Sequence, residues 1–219
     1  TDHDMERVIR AAFSFEGNEA EKEAWLDVIF TVVDENHGYM HSFDDAIRTT
    51  AELAPEEFLN RIFSGDEDIQ KKRRFFIERG GMDRLPLAGI DINALIAWCQ
   101  SQSNEEVWPV IGASIQLWER GSDQGGIELP DTALRFLEAS PHPTEVLKAF
   151  ASKLEPMSWS GSRADIMQGR TEAFRTLVQH PNQDIAKAAS DVIREITKRI
   201  DTERRWEQRR DEEREQTFE

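Results

Sequence analysis

The feature that most constrains the fold is an internal repeat with a period of 39 residues in the second half of the chain. Its three copies are anchored at Val107, Val146 and Ile185, each preceded directly by an acid and, three positions earlier, by a turn-forming residue. Apolar residues then recur four residues after the anchor (Ile111, Phe150, Ala189), eight after it (Ile115, Leu154, Ile193) and eleven after it (Trp118, Met157, Ile196). Because these steps fall on one helical face, each copy predicts a helix with one buried side.

A second apolar helix precedes each of these helices. Its matching positions are occupied by Leu95 and Trp98, by Leu134 and Leu137 and, with a one-residue slip, by Phe174 and Leu177. Each copy is therefore a helix, a short turn and a helix. A unit of this size cannot bury its apolar face alone, so neighbouring units must stack on one another. The repeat predicts an all-α fold, built as an array of helical hairpins.

The third copy resembles a known family. Residues 177–189, with the sequence LVQHPNQDIAKAA, are similar to the turn and second helix of a HEAT repeat, where an aspartate and a β-branched residue open the inner helix and small residues follow. The resemblance covers about residues 91–200. It implies a HEAT-like α-solenoid and no particular activity. The chain departs from the family pattern at Lys187, at the large Phe150 and at Pro109.

A fourth copy would begin at Asp68-Ile69, which lies 38 residues before Val107. Lys72 and Arg73 occupy positions that are small or apolar in the other copies, and this counts against a fourth unit.

The N-terminal portion is predicted to be helical as well. Apolar residues at helical spacing predict helices over 5–13, 19–33, 55–63 and 66–79, with Ser42 as the N-cap of another. In the second helix the predicted stripe is Trp25, Val28, Ile29, Val32 and Val33. The glycines and proline of residues 80–90 indicate a hinge or a linker. We therefore expect an acidic helical portion over 1–83 and the repeats, ending in a long charged helix, over 91–219, or else one continuous domain.

The charge of the chain bears on its partners. There are 27 basic and 43 acidic side chains, a formal net charge of −16, and residues 1–69 carry 18 of the acids and 5 of the bases. Sequence-independent binding to nucleic acid or anionic lipid depends on bases that neutralise phosphates, so both are disfavoured as partners. No run of apolar residues is long enough to predict a membrane span. We expect a protein partner, and a basic one where the acidic portion makes contact; the oligomeric state is left open.

The segment of residues 156–163 is the strongest candidate for a functional site. The candidate partner-binding or anion-binding patch consists of Ser158, Trp159, Ser160, Arg163 and Arg170. Hydroxyl groups, free backbone amides and an arginine can together hold a phosphate or a carboxylate. In the structural alternative, Ser162 caps the following helix with Asp165, and Trp159 covers an edge of the array.

The histidines favour structural roles. His37 and His41 lie four residues apart among acids, a spacing that suits zinc, but Asn36 and Gly38 interrupt the helix that such a site needs. His142 and His180 each precede a proline at a repeated turn. A role in capping or packing the turns explains why they recur.

Two further features are explained by structural roles, without a catalytic or binding function. Cys99 is the only cysteine, which excludes an internal disulfide, and it follows Trp98 on an apolar face as a small core residue does. A lone cysteine fits a reducing compartment, so we expect a cytoplasmic protein. The basic run of residues 71–74 has acids within one helical turn, which favours ion pairing on a solvated face. We predict no catalytic residue, no metal ion and no cofactor.

These patterns favour a non-catalytic protein-interaction or scaffold module, the C-terminal part of a larger bacterial protein, which presents a ridge or groove of stacked helices to its partner. Two alternatives stay open. One is an acidic inhibitor or immunity-type protein that blocks a basic partner. The other is a HEAT-like DNA glycosylase, which would need a cationic concave face.

Overall fold

The computed structural model describes residues 2–13, 19–35, 44–78, 86–120, 127–156 and 158–217, and these are predominantly helical, as the repeat predicts. The chain forms two compact units, Thr1–Gln116 and Leu117–Glu219. We call them the first and the second unit. Compactness does not show which helices belong to one array, so the division into 1–83 and 91–219 stays a prediction.

The first unit is built from helices. They are α1 (Asp2–Phe13), α2 (Glu19–Glu35), α3 (Asp44–Leu53), α4 (Pro55–Ile62), α5 (Glu67–Glu78), α6 (Ile92–Ser101) and α7 (Val107–Gly112), with a short 3₁₀ helix over Pro86–Gly89. Helix α3 packs against α1 and the 3₁₀ helix, and α2 packs against α5. The large side chains buried in this unit include Ile9, Phe30, Phe58, Ile62 and Ile77.

The buried side of α2 differs from the predicted stripe. Leu26 and Phe30 are buried together with Ile29 and Val33, whereas Val28 is 54% exposed. The buried set still follows the steps of three and four residues that define a helical face. This segment carries two overlapping apolar stripes, and contact with the neighbouring helices selects the one that contains Phe30.

The α4–α5 hairpin is the place where the sequence suggests a fourth repeat copy. Gly65 turns the chain with a φ of +92°, and Asp66 then accepts a hydrogen bond from the backbone N–H of Ile69 at 2.9 Å, which begins α5. Four residues after Ile69, the Arg73 guanidinium is buried and donates to both carboxylate oxygens of Asp34 at 2.9 and 2.6 Å. The position thus faces inward as in the other copies, because Asp34 compensates the charge.

Side-chain hydrogen bonds mark the starts of α6 and α7. Asp91 accepts a hydrogen bond from the backbone two residues ahead at 2.9 Å, and Asn104 does the same at 3.0 Å immediately before α7. Pro109 lies inside α7, which ends after six residues at Gly112. Pro109 is in the first turn of the helix, where proline is tolerated because its missing N–H breaks no helical hydrogen bond.

The second unit combines helices with one small strand pair. Its elements are β1 (Glu119–Arg120), β2 (Ile127–Glu128), α8 (Asp131–Ala139), α9 (Pro143–Ala151), α10 (Arg163–Glu172), a 3₁₀ helix over Arg175–Gln179 and α11 (Gln183–Thr217). The two strands pair in antiparallel fashion, which the sequence pattern does not predict. Helix α11 packs against α9, α10 and the 3₁₀ helix around a core that includes Phe136, Phe150 and Phe174.

The repeat register agrees with burial at the anchors and four residues after them, but α7 and α9 end before Ile115 and Leu154, so the predicted helices are too long in these two copies. Val107, Val146 and Ile185 are all buried at the starts of α7, α9 and α11, as predicted. The helix expected before the third anchor is different, because Leu177 lies in the 3₁₀ helix and Phe174 immediately precedes it. The predicted burial of both residues is nevertheless confirmed.

Helix α11 continues far beyond its apolar part. It spans 35 residues, and Ile200 is its last buried apolar residue. The remaining turns are charged and mostly exposed. None of the described helices is both long and apolar enough to cross a membrane.

Candidate functional site

The predicted patch lies at the N-terminus of α10. Gly161 has a φ of +84°, in the left-handed region that favours glycine, and it leads directly into the helix. The hydroxyl of Ser162 accepts a hydrogen bond from the backbone N–H of Asp165 at 3.1 Å. The predicted capping role of Ser162 is therefore confirmed.

A carboxylate of the chain itself occupies the free amides of this N-terminus. Glu207 of α11 accepts hydrogen bonds from the backbone N–H groups of Arg163 and Ala164 at 2.7 and 3.3 Å, and from the Ser162 hydroxyl at 2.8 Å. Desolvation opposes ionisation of Glu207, but these three hydrogen bonds outweigh it and lower its pKa. The negative charge that a helix N-terminus favours is thus supplied from within the molecule.

Arg163 is held by two further carboxylates. Its Nη1 donates to Glu203 and its Nη2 to Glu155, both at 3.0 Å, and the guanidinium lies 5.0 Å from the ring centroid of Trp159. The charge of Arg163 is therefore compensated inside the unit. Trp159 itself is 47% exposed. What the patch offers to a partner is an indole rather than an uncompensated cation.

Arg170 is directed into the interior of the second unit and is not part of the exposed patch. It is buried, its Nη1 donates to the carbonyl oxygen of Lys153 at 2.8 Å, and its guanidinium lies 5.7 Å from the ring centroid of Trp118. Burial lowers the pKa of Arg170. Ser158 and Ser160 are exposed beside Trp159. Binding of a ligand by these residues stays a prediction.

Sequence reasoning missed the α11 residues at this site. Glu203 and Glu207 bind residues of α10 and its N-cap that lie 40 and 45 positions earlier in the chain, and Trp206 between them is 45% exposed. In the sequence they belong to a solvated, charged helix. The available signal was their spacing, because Ile196, Ile200, Glu203 and Glu207 continue one helical face.

The other reactive side chains are engaged in structure. Cys99 is buried in α6, and burial raises the pKa of its thiol to about 12, so the thiolate is scarce at neutral pH. His180 lies with its Nε2 2.9 Å from Glu138 Oε1, and its Nδ1 accepts a hydrogen bond from the backbone N–H of Asn182 at 3.1 Å. This histidine therefore closes the turn before α11. His142 is the N-cap residue of α9.

Two predicted features need separate mention. His37 and His41 lie outside the described residues; within the described part of the chain, no group of three histidine, cysteine or acidic side chains could hold a metal ion. The basic run of residues 71–74 does not form one basic surface. Arg73 is directed inward to Asp34, whereas Lys71 and Arg74 line a groove on the surface of the first unit.

A groove lies between α9 and α11 in the second unit. It consists of two adjoining cavities of about 310 and 470 Å³, which share Lys148, Val192 and Glu195 in their walls. Ala151 and Ile196 contribute apolar surface to the first cavity. The charged residues that line the two cavities are Lys148, Asp191, Arg194, Glu195, Lys198 and Arg199.

A second groove lies between α5 and α7 in the first unit, with a volume of about 760 Å³. Its apolar surface includes Phe75, which is 37% exposed, and Val110. Its charged lining residues are Glu67, Lys71, Arg74, Glu78 and Glu106. Acids outnumber bases in this groove, whereas bases outnumber acids in the groove between α9 and α11.

The comparisons with known proteins place the chain in no family. No family model matches it, and neither a curated protein nor a solved structure does.

Proposed function

We propose that this chain is a non-catalytic protein-interaction module of the cytoplasm, whose helical hairpins form a HEAT-like array. One observation carries the proposal: each unit has a surface groove between two of its helices, α5 and α7 in the first unit and α9 and α11 in the second. Three of these helices, α7, α9 and α11, carry the anchors of the 39-residue repeat. Repeat proteins use such extended surfaces to bind partners.

The composition of the grooves supports binding of a polypeptide. The groove between α9 and α11 has an apolar floor with Val192 and Ile196, bordered by charged side chains. An apolar centre within a polar rim is the usual anatomy of a protein interface. The groove between α5 and α7 repeats this arrangement around Phe75 and Val110.

The predicted patch adjoins the groove between α9 and α11. Glu155 accepts hydrogen bonds from Arg199, which lines the groove, at 2.6 Å and from Arg163 at 3.0 Å. Trp159 stacks on Arg163 and therefore lies near one end of the groove. Exposed tryptophans and arginines are enriched among the residues that dominate binding energies. We include Trp159 in the docking surface for this reason.

The acidity of the first unit supports a basic partner at the groove between α5 and α7. Glu67 and Glu106 line this groove, and the N-terminal residues 1–69 contribute most of the net charge. A field of this sign accelerates encounter with a basic protein and weakens with added salt. The same acidity is what an inhibitor of a basic protein would use, so an immunity-type role is a special case of the proposal.

Site-specific photo-crosslinking tests the proposal. A photoreactive amino acid is placed at Ser152 in the groove between α9 and α11, or at Gln70 in the groove between α5 and α7, and irradiated in lysate of the source organism. The matched control position is Gln208, which is exposed on α11 and lines neither groove. We expect covalent adducts with the same protein from the groove positions and none from Gln208.

Equal labelling from all three positions would contradict docking in the grooves. Duplex DNA serves as the discriminating ligand for the glycosylase alternative, because a glycosylase must grip phosphates. Tight binding of DNA at low salt, with no protein adduct, would favour that alternative over an interaction module.

A further inference from the structure

We propose that the groove between α9 and α11 binds an acidic segment of a partner protein. This inference rests on the proposed function and assigns the chemical class of the partner at one of its two grooves. Four bases line the groove, Lys148, Arg194, Lys198 and Arg199, against two acids, Asp191 and Glu195. The excess of bases is opposite to that of the whole chain, in which 43 acids face 27 bases.

Most of these bases have a carboxylate neighbour already. Arg194 pairs with Asp191 at 2.6 Å, and Arg199 donates to both Glu155 and Glu195 at 2.6 Å. The hydrogen bond to Glu155, followed by the one to Glu195, raises the pKa of Arg199. A guanidinium carries five N–H donors, so these arginines keep donors for an incoming carboxylate.

Lys198 differs from the other three bases of the groove in its ion pairing. Its side chain is exposed at the edge of the groove and makes no ion pair with any of the described residues. Lys148, on the opposite wall, pairs only across one turn of α9 with Glu145 at 2.8 Å, and both side chains are more than half exposed. Such exposed pairs are weak and can exchange partners. The groove thus presents two lysines to a bound segment.

The groove also limits what kind of anion fits. Its floor contains Ala151, Val192 and Ile196, so a free phosphate or a small carboxylate would leave this apolar surface uncovered. A peptide that alternates acidic and apolar side chains satisfies both the rim and the floor. Trp159, near the end where Arg199 lies, supplies an aromatic anchor for such a segment.

The attraction at this groove depends on charges close to it. Charges at the surface are screened over about 8 Å at physiological ionic strength. The side chains that line the groove and their direct ion-pair partners therefore decide the local attraction. Because the attraction is a local ionic one, we expect the affinity to fall as salt is raised from about 50 to about 300 mM.

Peptide display on the full chain tests the inference. Random peptides of roughly a dozen residues, a length that covers such a groove, are selected for binding, and the affinities of the enriched peptides are measured by fluorescence anisotropy. Two variants of the same helix are compared, Lys198→Glu in the groove and Lys187→Glu, which changes an exposed lysine outside its lining. We expect acidic peptides with apolar residues, bound about tenfold more weakly by Lys198→Glu and nearly unchanged by Lys187→Glu.

Each other result overturns a defined part of the account. Enriched peptides that lack acids but still depend on the groove, as judged by competition at a photoreactive Ser152, contradict the acidic class and leave the interaction module standing. Acidic peptides that bind both variants equally dock elsewhere and also contradict the inference. Failure to enrich any peptide, together with no adduct at Ser152, overturns the interaction at this groove altogether.

Discussion

Arg73 in the first unit and Arg163 in the second use the same arrangement at different depths. Each guanidinium lies 5.0 Å from an aromatic ring centroid, that of Phe30 for Arg73 and that of Trp159 for Arg163, and each pairs with a carboxylate. The Arg73 side chain is 10% exposed and that of Arg163 is 23% exposed. The arrangement is therefore part of the core in the first unit and part of the surface in the second.

This difference indicates which of the two clusters a partner can contact. Phe30 is fully covered, so the Arg73 cluster ties α5 to α2 and offers nothing to a ligand. Trp159 is half-exposed, and its arginine is joined through Glu155 to the groove between α9 and α11. Arg73 pairs with one carboxylate, that of Asp34, whereas Arg163 pairs with two, so the two clusters should respond differently when a carboxylate is removed.

The largest effect is expected at the buried cluster. Asp34→Ala leaves Arg73 without its carboxylate, and breaking a buried pair in this way costs about 3 kcal/mol of unfolding free energy. The measurement is urea denaturation followed by circular dichroism. A matched Arg73→Met variant removes the charge and keeps much of the volume, so it should be clearly less destabilised than Asp34→Ala. Equal losses in the two variants would contradict the role of the uncompensated charge.

A smaller effect is expected at the N-terminus of α10. Glu207→Ala removes the acceptor for two backbone amides and the Ser162 hydroxyl, and loss of a helix cap costs about 1 kcal/mol. Thermal unfolding followed by calorimetry measures this loss. Gln208→Ala, one residue along the same helix and exposed, is the control that should leave the unfolding temperature unchanged. A Glu207→Ala variant as stable as the control would contradict the capping contact.

The pH dependence of the unfolding stability tests the same contact of Glu207. The pKa of Glu207 is lowered from its ordinary value of 4.5 by the hydrogen bonds that it accepts, against the opposing desolvation, so folding favours the ionised carboxylate. Its contribution is fully present above 4.5 and is lost as the pH falls through the lowered value. The stability difference between the wild type and Glu207→Gln should stay constant from about pH 8 to about pH 5 and shrink at lower pH. A stability difference that grows as the pH falls would contradict this prediction.

The smallest effect is expected at the Arg163 cluster. Glu203→Gln removes one of the two carboxylates of Arg163, while Glu155 still compensates the guanidinium. Because the guanidinium keeps this second carboxylate, we expect a loss of less than about 1 kcal/mol, so chemical denaturation should barely change. A loss as large as that of Asp34→Ala would show that Glu155 alone does not compensate Arg163.

Much of the fold follows from local sequence signals. The repeat predicts the buried anchors Val107, Val146 and Ile185, and Pro55 and Gly65 mark the first residue of α4 and the turn after it. Where two apolar stripes overlap, as in α2, the sequence cannot select between them, since long-range packing decides. The strand pair β1–β2 is too short to produce an alternating pattern.

The candidate site was only partly predictable for the same reason. The cap at Ser162 is local, because its partner lies three residues away. The contact with Glu207 joins residues 45 positions apart in the chain, and no local preference encodes it. Arg170 has a spacing from Arg163 that suggests one helical face, but burial against Trp118 directs it to the interior.

Amide NMR of the ¹⁵N-labelled chain during titration with a selected acidic peptide tests the central claim most directly. The account predicts that the shifted amides concentrate in residues 144–152 and 188–199, the parts of α9 and α11 that line the groove. It also predicts that the amide of Cys99 in α6 does not move. Shifts confined to the first unit, or spread evenly over both units, would contradict docking between α9 and α11.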